Sequence, residues 1–232
     1  DTSVDMLVFG AHPDDAEIGM GGTIAKYAEQ GYRIALCDLT LAEMSSNGDV
    51  HTRQQEAETA RRLLGAVARN NLELPDRGLV NRREHVEPIT LEIRKRRPRI
   101  VFAPYWIDRH PDHVMCSRLV QEAVFNAKLR KWLPDVAPWT VEHVLFYYIN
   151  DLDQPVLTVD VTEHYERKRE ALLAYESQFK AGTSSVSTPL NQGYIEQVEA
   201  RDRVTGQKHL VQYAEGFATS GPFMIEHLLG RK

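Results

Sequence analysis

Two cysteines in 232 residues exclude a disulfide-stapled fold, and a chain this long can bury a full core without such staples. Cys37 and Cys116 lie in apolar surroundings far apart in sequence and read as buried free thiols. No apolar run approaches the roughly 18 residues needed to cross a bilayer. Neither sign of charge dominates: 28 Lys and Arg stand against 33 Asp and Glu, and a net charge of −5 gives no general attraction to nucleic acid or anionic lipid. Asp1-Thr2-Ser3-Val4-Asp5 lacks the charged-then-apolar layout of a signal peptide, so a cytoplasmic protein is expected, with no nucleic-acid or membrane partner. There is no repeat of solenoid length and no low-complexity tract. A dinucleotide fingerprint is also missing. After Gly19 and Gly21 the G-x-G-x-x-G spacing requires a glycine where Ile24 stands. Those glycines are expected to permit close backbone packing at the start of a helix.

What is present is ordinary globular composition, 42% hydrophobic and 26% charged. Met6-Leu7-Val8-Phe9, Ile34-Ala35-Leu36-Cys37 and Ile100-Val101-Phe102-Ala103 are short unbroken apolar runs, the pattern of strands buried on both faces. A weaker strand runs through Asn71 to Leu74. Helices are marked by Ile24, Ala25 and Ala28 up to Gly31, by Ala57 to Leu64 up to Gly65, by Val86, Ile89 and Ile93 before Pro98, and by Leu119 to Ala127. The alternation predicts an α/β fold over 1–232: a single-domain, Rossmann-like, doubly wound and mostly parallel sheet with helices on both faces. Val144 to Tyr148 and Val156 to Val161 read as two further strands with one at or near a sheet edge, followed by a helix over Tyr165 to Tyr175. The small polar stretch 181–188 reads as a flexible loop.

Ligands of open α/β sheets bind where loops leave the carboxyl ends of the strands. Gly10-Ala11-His12-Pro13-Asp14-Asp15 follows the first strand, and Tyr105 to His113, with Asp108-Arg109-His110-Pro111-Asp112-His113, follows the fourth. Taken alone, each His-Pro-Asp is a turn with an N-cap aspartate. Two of them on one sheet edge bring imidazoles and carboxylates to one point, a donor set that suits zinc or another first-row divalent ion. His12, Asp15 and His113 can supply three ligands and leave a fourth position open. Asp14 and His110 then stand beside the metal as acid/base group and oxyanion stabiliser. Pro111 suits the first turn of a helix that carries His113 about one turn from His110. Cys116 could be imagined as a soft ligand, but reads as a packed core thiol.

The pair Ala11-His12-Pro13-Asp14-Asp15 and His110-Pro111-Asp112-His113 resembles the two-part signature of the LmbE/PIG-L family of zinc-dependent N-deacetylases. Ser45-Ser46-Asn47-Gly48, Leu74 to Leu79, Ala174 to Phe179 and Tyr213 to Phe217 are similar to the branch that deacetylates N-acetylglucosaminyl malate in bacillithiol biosynthesis. The resemblance implies a Rossmann-like fold, homohexamers, zinc on His12, Asp15 and His113, Asp14 as general base and His110 as transition-state stabiliser, with Asp112 orienting an imidazole; by its residue type Asp112 fits the part of fixing the charge and orientation of His110. By its residue type His110, if protonated, would donate to the developing oxyanion. The ligand types accept Fe2+ as well as Zn2+. Arg109 and, after it, Arg53 are candidates for the carboxylates of a malyl glucosaminide, each weighed against an ordinary surface charge. Tyr194 either hydrogen-bonds the sugar or reacting carbonyl or packs on a neighbouring subunit. Diacetylchitobiose and thiol-conjugate amides are alternative substrates. A catalytically inactive sugar-binding protein would need neither Asp14 nor His110, and a two-metal phosphoesterase would need a bridging carboxylate and second ligand set that the sequence does not offer.

Overall fold

The computed structural model describes residues 2–183 and 185–224. Ser184, within the 181–188 loop, lies outside the described residues. Among the described residues no helix is long and apolar enough to cross a membrane.

Among the described residues seven strands form one sheet: β1 (Met6–Gly10), β2 (Ile34–Thr40), β3 (Ala68–Leu74), β4 (Ile100–Pro104), β5 (His143–Tyr147), β6 (Leu157–Asp160) and β7 (Ala214–Ala218), in the order β3-β2-β1-β4-β5-β7-β6. The first five are parallel; β7 runs antiparallel to β5 and β6 antiparallel to β7. The helices are α1 (Asp15–Glu29), α2 (Val50–Leu64), α3 (Arg83–Arg96), α4 (Pro111–Ala127), α5 (Tyr165–Leu173), the single turn α6 (Glu176–Phe179) and α7 (Tyr194–Gln207). Alternate side chains of β1 enter opposite cores, as a pleated strand requires. Met6 and Val8 join Ile24, Ala57, Leu64, Ala171 and Val198 on the α1, α2, α5 and α7 face. Leu7 and Phe9 join Ile89, Val101, Leu119 and Ala123 on the α3 and α4 face.

The doubly wound, mostly parallel sheet agrees with the sequence reading, and β6 occupies the expected edge. The reading missed β7, which separates β5 from β6. Its residues Ala214-Glu215-Gly216-Phe217-Ala218 are all buried although one is a carboxylate. Glu215 accepts hydrogen bonds from the Gly22 and Thr23 amides, the Thr23 hydroxyl and Lys168 Nζ. It thereby restarts α1 after a kink at Met20 (φ −150°). On the other side of the kink Arg201 donates to the Ile18 carbonyl. The glycine cluster behaves as expected of close packing: a Cβ on Gly19 would lie 2.0 Å from the Tyr147 ring, and one on Gly22 2.7 Å from Val161. The helix nevertheless starts earlier than the glycines suggest, directly at Asp15.

The winding direction reverses between β1 and β4, which are adjacent in the sheet although far apart in sequence. The crevice at such a switch point is where an open α/β sheet binds ligands, and both His-Pro-Asp loops leave it there.

Candidate active site

Asp14 stands at the N-cap of α1 with φ 107°, a left-handed conformation for a non-glycine residue. Its side chain caps nothing, so the capping account of this aspartate does not hold. Backbone strain of this sort costs on the order of 1–3 kcal/mol and clusters at functional sites. At the second loop Pro111 opens α4 as expected, and His110 is the N-cap: its Nδ1 accepts from the Asp112 amide at 3.2 Å. That bond leaves the hydrogen of a neutral imidazole on Nε2.

The three imidazoles come together, with ring centroids 4.8 Å apart for His12 and His110, 5.5 Å for His12 and His113, and 4.6 Å for His110 and His113. Asp15 joins two of them: Oδ1 is 3.1 Å from His113 Nε2 and Oδ2 is 3.7 Å from His12 Nδ1. Donor atoms of His12, His110 and His113 lie within 4.8 Å of one another, and so do those of a second group, His12, Asp76 and Asp112. The nitrogen and oxygen donors that face inward fit a zinc-type ion.

Burial and charge sort the groups. Burial pushes the Asp14 carboxyl up, against the pull of Arg53, to about 7. Burial, with His113 and His12 close by, lowers His110 to about 4, which favours an uncharged Nε2–H donor at neutral pH. Burial opposes charge on His113 as well, but Asp15 and Asp108 outweigh it and raise it to about 9. His12 is raised well above its usual value, since Asp112, Asp15 and Asp76 together outweigh its burial. Asp15 is held well below the usual carboxylate range despite burial, chiefly by His113.

Both shifts favour the protonated form of the rings at neutral pH, so a metal bound to His12 and His113 would have to displace protons. The apparent metal affinity should rise with pH by about tenfold per unit for each proton displaced. Chelator competition at pH 6, 7 and 8 checks this; an affinity that does not change contradicts it.

Arg53, Tyr194 and Arg109 all line the cavity around these histidines, and Asp112 lies against His12. The sequence reading assigns Asp112 to His110; its carboxylate is instead turned to His12 Nε2 at 3.5 Å and to the amide and guanidinium of Arg77, both at 2.9 Å. Arg53 is buried rather than free at the surface. Its guanidinium donates to the Pro13 carbonyl, to Asp14 at 3.2 Å and to Ser45 Oγ at 2.9 Å. Tyr194 packs within its own chain, its hydroxyl donating to Asn150 Oδ1 at 3.0 Å. Arg109 is exposed at the wall of a cavity of about 470 Å³ that His12, Asp14, Asp15, His110 and His113 also line.

Sequence reasoning missed Asn150 and gave no role to Asp108 or Asp76, which it met only within longer stretches. Asp108 Oδ1 is 3.0 Å from His113 Nδ1 and accepts the His110 amide at 2.7 Å. Asn150 in turn donates to Asp108 from its side chain at 2.8 Å. Asp76 Oδ1 is 3.1 Å from His12 Nε2. Asp76 follows β3 at the carboxyl edge, so the edge rule applied to the third strand would have found it. The 181–188 stretch is tied down at Val186, which exchanges two 2.8 Å hydrogen bonds with the Asn47 side chain, while Thr188 lines the cavity.

Residues 7–124 match the sequence model of the PIG-L family, described as GlcNAc-PI de-N-acetylase. The chain is 33% identical over 189 residues to diacetylchitobiose deacetylase of Thermococcus kodakarensis, covering 75% of this chain and 70% of the relative. It is 26% identical over 217 residues to a probable N-acetyl-α-D-glucosaminyl L-malate deacetylase 2 of Bacillus anthracis, covering 85% and 92%. The crystal structure of the conserved protein TT1542 from Thermus thermophilus superposes with a TM-score of 0.89 at 38% identity, covering 99% of this chain and 100% of that one. Fold, site and relatives define an enzyme of the amide-hydrolysing class, a deacetylase. The chain belongs to the PIG-L/LmbE family.

Proposed function

We propose that this deacetylase removes acetyl from an N-acetylglucosamine conjugate whose aglycone carries carboxylates, N-acetylglucosaminyl malate foremost, as in bacillithiol biosynthesis. In this reading His12, Asp15 and His113 hold zinc. The observation that carries it is the convergence of His12 Nδ1 and His113 Nε2 on the one carboxylate of Asp15, with Asp14 beside it. When bound, the metal supplies Lewis acidity that lowers the pKa of water to near 7 and polarises a carbonyl.

The chain's own groups do the rest. Asp14 takes a proton from the attacking water; a carboxyl titrating at about 7 can both accept and return a proton at neutral pH. Arg53 keeps Asp14 oriented through their 3.2 Å contact. His110 donates from Nε2–H to the oxyanion, a contribution typically of ~3–4 kcal/mol per donor. Asp14 then delivers its proton to the amine as the C–N bond breaks, releasing acetate. Asp108 orients His113 through Nδ1, and Asn150, itself held by the Tyr194 hydroxyl, fixes Asp108.

Arg109 has no hydrogen bond or ion pair among the described residues, which suits a guanidinium reserved for a substrate carboxylate. Turnover of N-acetylglucosaminyl malate and diacetylchitobiose should be compared on wild-type protein and Arg109→Gln. The malate conjugate should be preferred, and the preference should fall by roughly 10- to 100-fold in the variant, as expected for a hydrogen bond to a charged group. A wild-type preference for diacetylchitobiose would contradict the malate assignment.

A further inference from the structure

The proposed reaction uses one nitrogen of His12, Nδ1. The other, Nε2, faces two carboxylates, Asp76 Oδ1 at 3.1 Å and Asp112 Oδ2 at 3.5 Å. We propose that Asp76 is a positioning residue for the metal centre: it takes the Nε2–H of His12, fixing the tautomer and ring angle that present Nδ1 to Asp15 and the metal. This rests on the reading of His12 as a ligand.

Asp76 is suited to that part because its own carboxylate is anchored on the far side. Its Oδ2 accepts the Met44 amide at 3.0 Å, and its backbone amide donates to Glu43 at 2.7 Å. Its side chain is almost fully buried. Asp112 is the weaker candidate. It is farther from Nε2 and already accepts two hydrogen bonds from Arg77. The second group of potential donors, His12, Asp76 and Asp112, is on this account the outer support of one metal centre and not a second ion site. A carboxylate on the remote N–H of a ligating imidazole makes the ring more basic and holds its tautomer, and removing such a partner typically costs ten- to a hundredfold in metal affinity. The same carboxylate also bonds the loop 41–49, whose Met44, Ser45 and Ser46 line the cavity.

The test compares zinc affinity of the full-length protein, by chelator competition, in Asp76→Ala, Asp76→Asn and His12→Ala. A long-range 1H–15N spectrum of the zinc-loaded wild type reports which His12 nitrogen carries hydrogen. The expected results are hydrogen on Nε2, a ten- to hundredfold loss of zinc affinity in Asp76→Ala and a smaller loss in Asp76→Asn, whose amide oxygen still accepts one hydrogen bond. Should Asp76→Ala fail to fold, Asp76→Asn and the spectrum decide. Full zinc affinity in the folded Asp76 variants, or hydrogen on Nδ1, overturns the proposal if His12→Ala has lost zinc. If His12→Ala also binds zinc normally, it is the ligand assignment that fails.

Discussion

Asp14→Asn should lower turnover by about 10²–10⁴-fold while the protein keeps its metal, the loss typical of a missing general base. The substitution preserves size and an oxygen for Arg53, and removes only the capacity to take a proton. That selectivity follows from geometry. Asp15 points at His12 and His113, whereas Asp14, its neighbour, contacts Arg53 and neither imidazole among its close polar partners. The left-handed φ of 107° at Asp14 is what turns the two successive carboxylates to different tasks. Measuring kcat together with metal content on the same preparation checks the claim. Near-normal kcat would remove Asp14 from the mechanism; loss of metal would make it a ligand.

The largest effect on stability should come from Lys168→Met, at about 3–5 kcal/mol, the usual result of breaking a buried ion pair from one side. Lys168 is fully buried with Nζ 2.6 Å from Asp202 and 2.7 Å from Glu215. Without the ammonium, two carboxylates remain in the core, and Glu215 is the group that holds the amides of Gly22 and Thr23 where α1 resumes. For a chain of this size the loss corresponds to a Tm lower by roughly 6–20 °C. Denaturant midpoints at unchanged m-value measure it. A change below about 1 kcal/mol would mean that the carboxylates find other partners or become protonated at little cost.

The same residues explain why parts of the fold were unreadable. β1, β2 and β4 are central, covered on both faces, and so appear as unbroken apolar runs. β3 lies at the sheet edge with Ala68 to Leu74 half-exposed, and only its last residues carry a strand-like pattern. β7 hides Glu215, whose partners come from α1 and α5, and no local pattern announces a carboxylate satisfied from afar. α7 was missed because its bury-and-expose pattern mixes Val198 with the buried polar Asp202 and Thr205.

The site divides in the same way. Its two loops were legible because residue type and position after a strand are local properties. The partners of each side chain were not. Asp112 and Asp76 both meet His12 from other loops, and Arg53 reaches back across 39 positions to Asp14. Nothing in the order of residues states that the Asp112 carboxylate turns to His12 while its amide holds the histidine two places before it. The charge of His110 is equally illegible in residue order, since burial first, and then the nearby His113 and His12, set it.

The most direct test is an anomalous difference map at the zinc absorption edge from crystals of the protein loaded with one equivalent of zinc. The account predicts a single peak bonded to His12 Nδ1, Asp15 and His113 Nε2. A peak seated instead among His12 Nε2, Asp76 and Asp112, or bonded to neither His113 nor Asp15, would contradict it.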